Sequence, residues 1–274
     1  MGELLSYEFI RNAILIGVLS SILCGLLGTF IVVKRLVFIS GGISHAAFGG
    51  IGAFYYLGLN PLAGGFLVTA IMAVILGLAN REKLISQNSL IGILWALGMA
   101  VGIIFIARTP GYAPNLMTYL FGNILAVSNQ DILVTLIIDI IVVSVIFAFY
   151  KEFVAISFDE EFARVQGLPV RTLMIVFMLM IAVSIVLLIQ LVGVILVIAL
   201  LTIPPLIGLM LARRFLLVIL ISTLIGIVIS LGGLYFSYIF DLPSGPVIIT
   251  LGALLLGLSY VIKYFAGRLR VYRS

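Results

Sequence analysis

The sequence predicts an all-α membrane protein, a polytopic bundle of about nine transmembrane helices. Of its 274 residues, 64% are hydrophobic and 9% are charged, whereas about 25% are charged in an ordinary soluble domain. Apolar runs of the length that crosses a bilayer as a helix recur from end to end. We therefore expect a single transmembrane domain over residues 1–274, embedded in the lipid of the cell (plasma) membrane.

Charged and turn-forming residues delimit nine apolar spans. In chain order they cover 11–33, 41–58, 62–80, 90–107, 131–150, 172–191, 193–212, 215–239 and 245–264. The run 172–212 has no charged residue and is too long for one helix, so we place a break around Gln190 to Gly193. Without that break the count is eight. Residues 118–130 are apolar but too short to span, which predicts an interfacial or re-entrant helix.

The positions of the 15 basic residues predict the orientation of the chain. Loops on the cytoplasmic side of a membrane are enriched in Lys and Arg. With nine spans and the N-terminus outside, every basic residue except Arg11 and Arg108 falls on the cytoplasmic side. We therefore expect a cytoplasmic C-terminus, and the net charge of +5 needs no nucleic-acid partner to explain it.

Small residues predict close helix packing at two places. Gly98 and Gly102 form a small-xxx-small pair in the fourth span, and Gly49, Gly50 and Gly52 cluster in the second. Such residues let helix backbones approach closely inside a membrane.

The single histidine, His45, lies near the start of the second span, in the sequence ISGGISHAAFGG. Ionisable residues inside a membrane are costly, and they tend to face a bundle interior or an ion pathway. A neutral imidazole is also a good ligand for zinc and other first-row divalent metals. On a helix His45 shares a face with Gly41, Phe48 and Gly49. Two hypotheses stay open from the residues alone, a metal ligand and a hydrogen-bonded packing histidine.

Asp139 lies in the middle of the fifth span, in the sequence LIIDII. A carboxylate at that depth must be protonated, paired across helices or solvated in a channel. It either lines a metal path or anchors a hydrogen bond between helices.

The longest predicted cytoplasmic loop, FDEEFARVQGLP at 158–169, has the pattern of a short helix. Acidic residues at its start favour the helix dipole, and Gly167 followed by Pro169 provides a stop. We expect an amphipathic helix over 158–168 whose apolar face packs on a partner.

Several motifs of enzymes are missing from the sequence. It has no G-x-x-x-x-G-K-[ST] motif, so we do not expect ATP to bind this chain through a P-loop. A single histidine also excludes the HExxH motif of zinc metalloproteases. These absences exclude a P-loop ATPase and a zinc metalloprotease of the HExxH type.

Five segments carry a resemblance to a known family. They are ISHAAFGG around His45, YLFGNIL at 119–125, DEEFARVQGLP at 159–169, VGVILVIALLTIPP at 192–205 and LPSGPVIIT at 242–250. In this order and spacing, over essentially the whole chain, they resemble the metal-ion permease family of ABC importers, which take up zinc, manganese or iron. The resemblance implies a homodimer of permease copies, cytoplasmic ATP-binding subunits that hydrolyse ATP, and an extracytoplasmic metal-binding protein. It implies a transporter subunit rather than an enzyme, with a divalent metal ion as substrate and no permanently bound cofactor.

The resemblance also assigns roles to residues. His45 matches the histidine of the metal pathway, and 158–168 matches the coupling helix that contacts the ATPase. Within that segment the coupling residues are Phe158, Asp159, Glu160, Glu161, Ala163, Arg164 and Gly167. Many members have an aspartate one turn before the histidine, where this chain has Gly41. Other groups, such as Ser44, Asp139 or backbone carbonyls, would then complete the coordination.

A site centred on one histidine favours zinc, with manganese and iron as alternatives. A different class of protein stays open, a stand-alone secondary transporter or channel in which His45 and Asp139 relay protons. A cobalamin or siderophore permease is a third hypothesis, and it would not require the imidazole.

Overall fold

The computed structural model describes residues 7–78, 87–109 and 122–271, and within them the side chains other than Gln87 and 266–271. These residues contain eleven α-helices and no strand, which confirms the all-α prediction. The helices are α1 (Glu8–Val33), α2 (Val37–Tyr56), α3 (Pro61–Leu78), α4 (Gln87–Arg108), α5 (Asn129–Ala148), α6 (Tyr150–Phe158), α7 (Glu160–Val165), α8 (Val170–Val192), α9 (Val194–Leu211), α10 (Phe215–Phe240) and α11 (Ser244–Val271).

Nine helices of the described residues, α1 to α5 and α8 to α11, are long and apolar enough to cross a membrane. They coincide with the nine predicted spans to within a few residues at most ends. The break between α8 and α9 falls at Gly193, whose φ of +86° lies in a region that glycine adopts without strain. Among the described residues the count is therefore nine rather than eight. The orientation of the termini stays a prediction.

The segment 118–130 is only partly described. Its residues 118–121 lie outside the described part of the chain. The remainder forms a short 3-10 turn, Ile124–Ala126, before α5 begins at Asn129. The described part is therefore a turn leading into a span rather than the predicted helix.

The chain divides into two compact units. The first contains Met1–Val32, Asn123–Asp139 and Ile195–Ser274, and the second contains Val33–Gly122 and Ile140–Val194. Each unit is assembled from segments that are distant in sequence. The prediction of one domain over residues 1–274 stays a prediction.

In the first unit, α1 packs closely against α10. A Cβ atom at Gly25 would lie 2.7 Å from the Thr223 Cα, so only glycine permits this approach. Nearby, the hydroxyl oxygens of Ser21 and Ser230 are 3.2 Å apart and share a hydrogen bond. Small residues and hydroxyl pairs of this kind hold helices together where no water drives their association.

In the second unit, α2 packs against both α3 and α4 through glycines. A Cβ at Gly49 would lie 2.8 Å from the Gly98 carbonyl oxygen, and a Cβ at Gly52 would lie 2.7 Å from the Gly102 carbonyl oxygen. On its α3 side, Gly50 meets the Gly64 carbonyl. These contacts confirm the predicted small-residue packing. They also bring side chains of α2 and α4 within reach of each other around His45.

Candidate metal site and coupling helix

His45 is half-buried on α2, in the second unit. Its imidazole stacks on the indole of Trp95 from α4, with ring centroids 4.5 Å apart and planes inclined by 14°. One turn earlier, the same indole lies against Gly41, where a Cβ would be 2.6 Å from Trp95 Cζ3. The indole therefore fills the space beside Gly41, the position where the resemblance implies an aspartate in many members.

Ser44, which the sequence offered as a further ligand, is buried on α2. Its hydroxyl donates a 2.6 Å hydrogen bond to the Ser40 carbonyl oxygen in the preceding turn. The Ser44 hydroxyl proton is thus donated to the helix backbone.

Asp139 lies on α5 and belongs to the first unit, whereas His45 belongs to the second. Its side chain is 3% exposed. Neither carboxyl oxygen has a hydrogen-bond partner among the described residues. Burying an unpaired polar group is costly, and in membrane proteins such groups mark functional sites. No partner for the hydrogen-bond anchor hypothesis is present in the described part of the chain.

The described residues do not bring together three or more His, Cys, Asp or Glu side chains that could hold a metal ion. A neutral imidazole with few additional side-chain ligands suits transient binding, since an ion held too tightly cannot leave a transport pathway.

The loop after α6 contains a short helix, α7, shorter than the predicted 158–168. At its start, the Asp159 carboxylate accepts a 2.9 Å hydrogen bond from the Phe162 backbone N–H. At its end, Gly167 has a φ of +81°, its N–H donates to the Arg164 carbonyl, and the Leu168 N–H donates to the Ala163 carbonyl. This pair of bonds is the Schellman arrangement, so both ends of the helix are fixed by the local sequence.

One face of α7 is anchored to the second unit. The Lys34 Nζ is 2.7 Å from Glu160 Oε1 and donates another 2.7 Å hydrogen bond to the Ile156 carbonyl. Ala163 is fully buried on the same helix. No local pattern identifies Lys34 as the partner of Glu160, because the two residues are 126 positions apart.

The opposite face of α7 exposes apolar side chains. Phe162 is 57% exposed and Val165 is 86% exposed. The coupling residues that the resemblance implies include Ala163, which is buried, and do not include Phe162 or Val165. That assignment stays a prediction. Phe162 and Val165 lie three residues apart, a spacing that places two side chains on one helix face.

The fold and these features define a multi-pass protein of the cell membrane. A family model described as "ABC 3 transport family" matches residues 6–263. An uncharacterized membrane protein of Synechocystis is 43% identical over 93% of this chain and 90% of its own length. The manganese transport system membrane protein MntC of Halalkalibacterium halodurans is 32% identical over 98% and 92%.

Among solved structures, PsaBC from Streptococcus pneumoniae in complex with Fab is similar, with a TM-score of 0.82 and 29% identity over 94% of this chain and 92% of that chain. The chain belongs to the ABC 3 transport family. The resemblance drawn from the sequence is thereby confirmed, as is the prediction of a permease subunit rather than an enzyme.

Proposed function

We propose that the chain imports a divalent metal ion into the cytoplasm, with manganese as its main substrate and His45 as a ligand in the pathway. The observation that carries this proposal is the chain's only histidine, half-buried within a membrane span and held in place by an indole. Membership of an ABC transport family supports ATP hydrolysis on separate cytoplasmic subunits as the energy source.

The identity of the metal rests on two opposing arguments. A lone imidazole favours zinc, whereas manganese prefers oxygen ligands. Asp139 supplies a buried carboxyl group that has no hydrogen-bond partner in the described part of the chain. Relatives with about a third of their residues identical are named for manganese transport. We therefore propose manganese, and the names of the relatives give no support to the zinc preference.

The partner proteins follow from the same proposal. The exposed face of α7 offers Phe162 and Val165 to a cytoplasmic ATP-binding subunit. Large side chains that fill a pocket of a partner protein can carry much of the binding energy of an interface. A second permease copy completes the pathway, and an extracytoplasmic protein delivers the metal.

Uptake by the reconstituted transport complex tests the function. Vesicles loaded with ATP are expected to accumulate radiolabelled manganese, and unlabelled manganese should compete better than zinc. Stronger competition by zinc would restore the zinc assignment. Uptake that requires a proton gradient and does not depend on ATP would support the secondary transporter instead. The absence of uptake of either metal would overturn the proposal.

Asp139→Leu is expected to lower manganese uptake while raising the thermal stability of the purified chain. The reason is that leucine removes a buried carboxyl group that has no partner among the described residues. Such a group costs about 1–3 kcal/mol, and its loss also removes the proposed oxygen ligand. The control is Thr135→Val, one turn earlier on α5, because the Thr135 hydroxyl bonds only to its own helix in the described contacts. Unchanged uptake by Asp139→Leu, alongside higher stability, would exclude Asp139 from the pathway.

A further inference from the structure

The only tryptophan of the chain is stacked on its only histidine. The pair is held by backbone packing as well as by the rings themselves. A Cβ at Gly98 would lie 2.8 Å from the His45 carbonyl oxygen and 2.5 Å from the Ala46 Cα, so α4 approaches α2 directly at the histidine. The indole spans the gap from His45 to Gly41, one turn away. Its position is therefore set at two points along α2.

Stacking on the indole restricts the rotation of the His45 imidazole. The near-parallel indole covers one face of the ring and hinders its rotation, while the ring nitrogens lie at the edge, where a metal ion binds. An imidazole that carries a metal ion also gains positive charge, and the electron-rich face of an indole attracts positive charge. Stacking thus orients the ligand and favours its metal-bound form.

In many metal sites a carboxylate or carbonyl next to the histidine provides this orientation, and its loss weakens metal binding about 10- to 100-fold. Here the neighbouring position on α2 is Gly41, which has no side chain, and the indole takes up its space. The indole contacts the face of the imidazole, so it restrains the rotation of the ring without using the ring nitrogens.

We propose that Trp95 is a positioning residue for metal transport, which holds His45 in the orientation that binds the ion. This proposal rests on the proposed role of His45 as a ligand. It also makes the indole a built-in reporter, since an ion bound at the imidazole edge lies within a few ångströms of the only tryptophan.

The first test is fluorescence of the full-length chain in dodecyl maltoside micelles, titrated with manganese chloride. Manganese is paramagnetic, so we expect saturable quenching of the Trp95 emission that disappears in His45→Ala. The matched control is Phe105→Leu, which breaks another ring pair between α2 and α4, that of Tyr56 and Phe105, with centroids 5.5 Å apart. It should quench like the unmodified chain. Quenching that is not saturable, or that persists in His45→Ala, would overturn the reporter role.

The second test is uptake by the reconstituted complex. Trp95→Leu is expected to raise the KM for manganese about tenfold with little change in maximal rate, and Trp95→Phe should give an intermediate KM because a ring still stacks. If Trp95→Leu does not fold, Trp95→Phe alone decides, and an unchanged KM overturns the proposal. Loss of uptake in His45→Ala together with a normal KM in Trp95→Leu would refute only the positioning role. Normal uptake in His45→Ala would instead refute the proposed function of His45.

Discussion

His45→Ala is expected to reduce ATP-dependent manganese uptake to the level of vesicles without ATP. His45 is the only histidine, and the described residues offer no cluster of three or more alternative ligands. A pathway that loses its imidazole therefore has no equivalent side chain to substitute for it. The measurement is initial uptake rate over a range of manganese concentrations.

Two further variants separate the metal role from simple packing. His45→Asn keeps hydrogen-bonding capacity without the imidazole, and it should also abolish uptake if His45 binds metal. Ser40→Ala, on the same helix, removes a hydroxyl that bonds to the Val37 carbonyl within α2, and it should transport normally. Wild-type KM in His45→Asn would show that the histidine is a packing residue.

The double substitution Glu160→Arg with Gly167→Pro is expected to uncouple ATP hydrolysis from uptake, lowering the ions moved per ATP by about tenfold or more. The introduced arginine would place a second cation beside Lys34, whose Nζ now lies 2.7 Å from the carboxylate of Glu160. Proline fixes φ near −65° and has no N–H, whereas Gly167 has a φ of +81° and donates to the Arg164 carbonyl. Both ends of α7 would be disturbed at once.

The measurement compares the ATPase rate with the uptake rate of the same reconstituted complex. Glu152→Arg is the control, because it makes the same charge change on α6, outside α7, at a residue that is not the ion-pair partner of Lys34. Phe162→Asp and Phe162→Leu test the exposed face of α7. The aspartate variant should uncouple ATP hydrolysis from uptake, and the leucine variant should not. Tight coupling in the double variant would remove α7 from the transmission path.

The two ends of α7 illustrate what local sequence encodes. Asp159 and Gly167 are standard start and stop residues for a helix, and the structure uses both in those roles. The predicted helix was longer because acidic and apolar residues also extend to its flanks, and an extended backbone at Asp159 separates α6 from α7. Which side of α7 faces outward was not predictable from composition. Burial of Ala163 and exposure of Val165 depend on the helix against which α7 packs.

The sequence by itself predicted about nine spans, a break around Gln190 to Gly193 and the place of the single histidine within a span. Apolar length and turn chemistry are local properties of a chain, and a bilayer leaves helices as the only way to bury the backbone of such segments. Only the tertiary structure decided that Trp95 covers His45 and Gly41, that Lys34 anchors Glu160, and that Asp139 is buried without a partner among the described residues. These contacts join residues far apart in sequence, and they are fixed by how closely the glycine-lined helices approach one another, which no local pattern specifies.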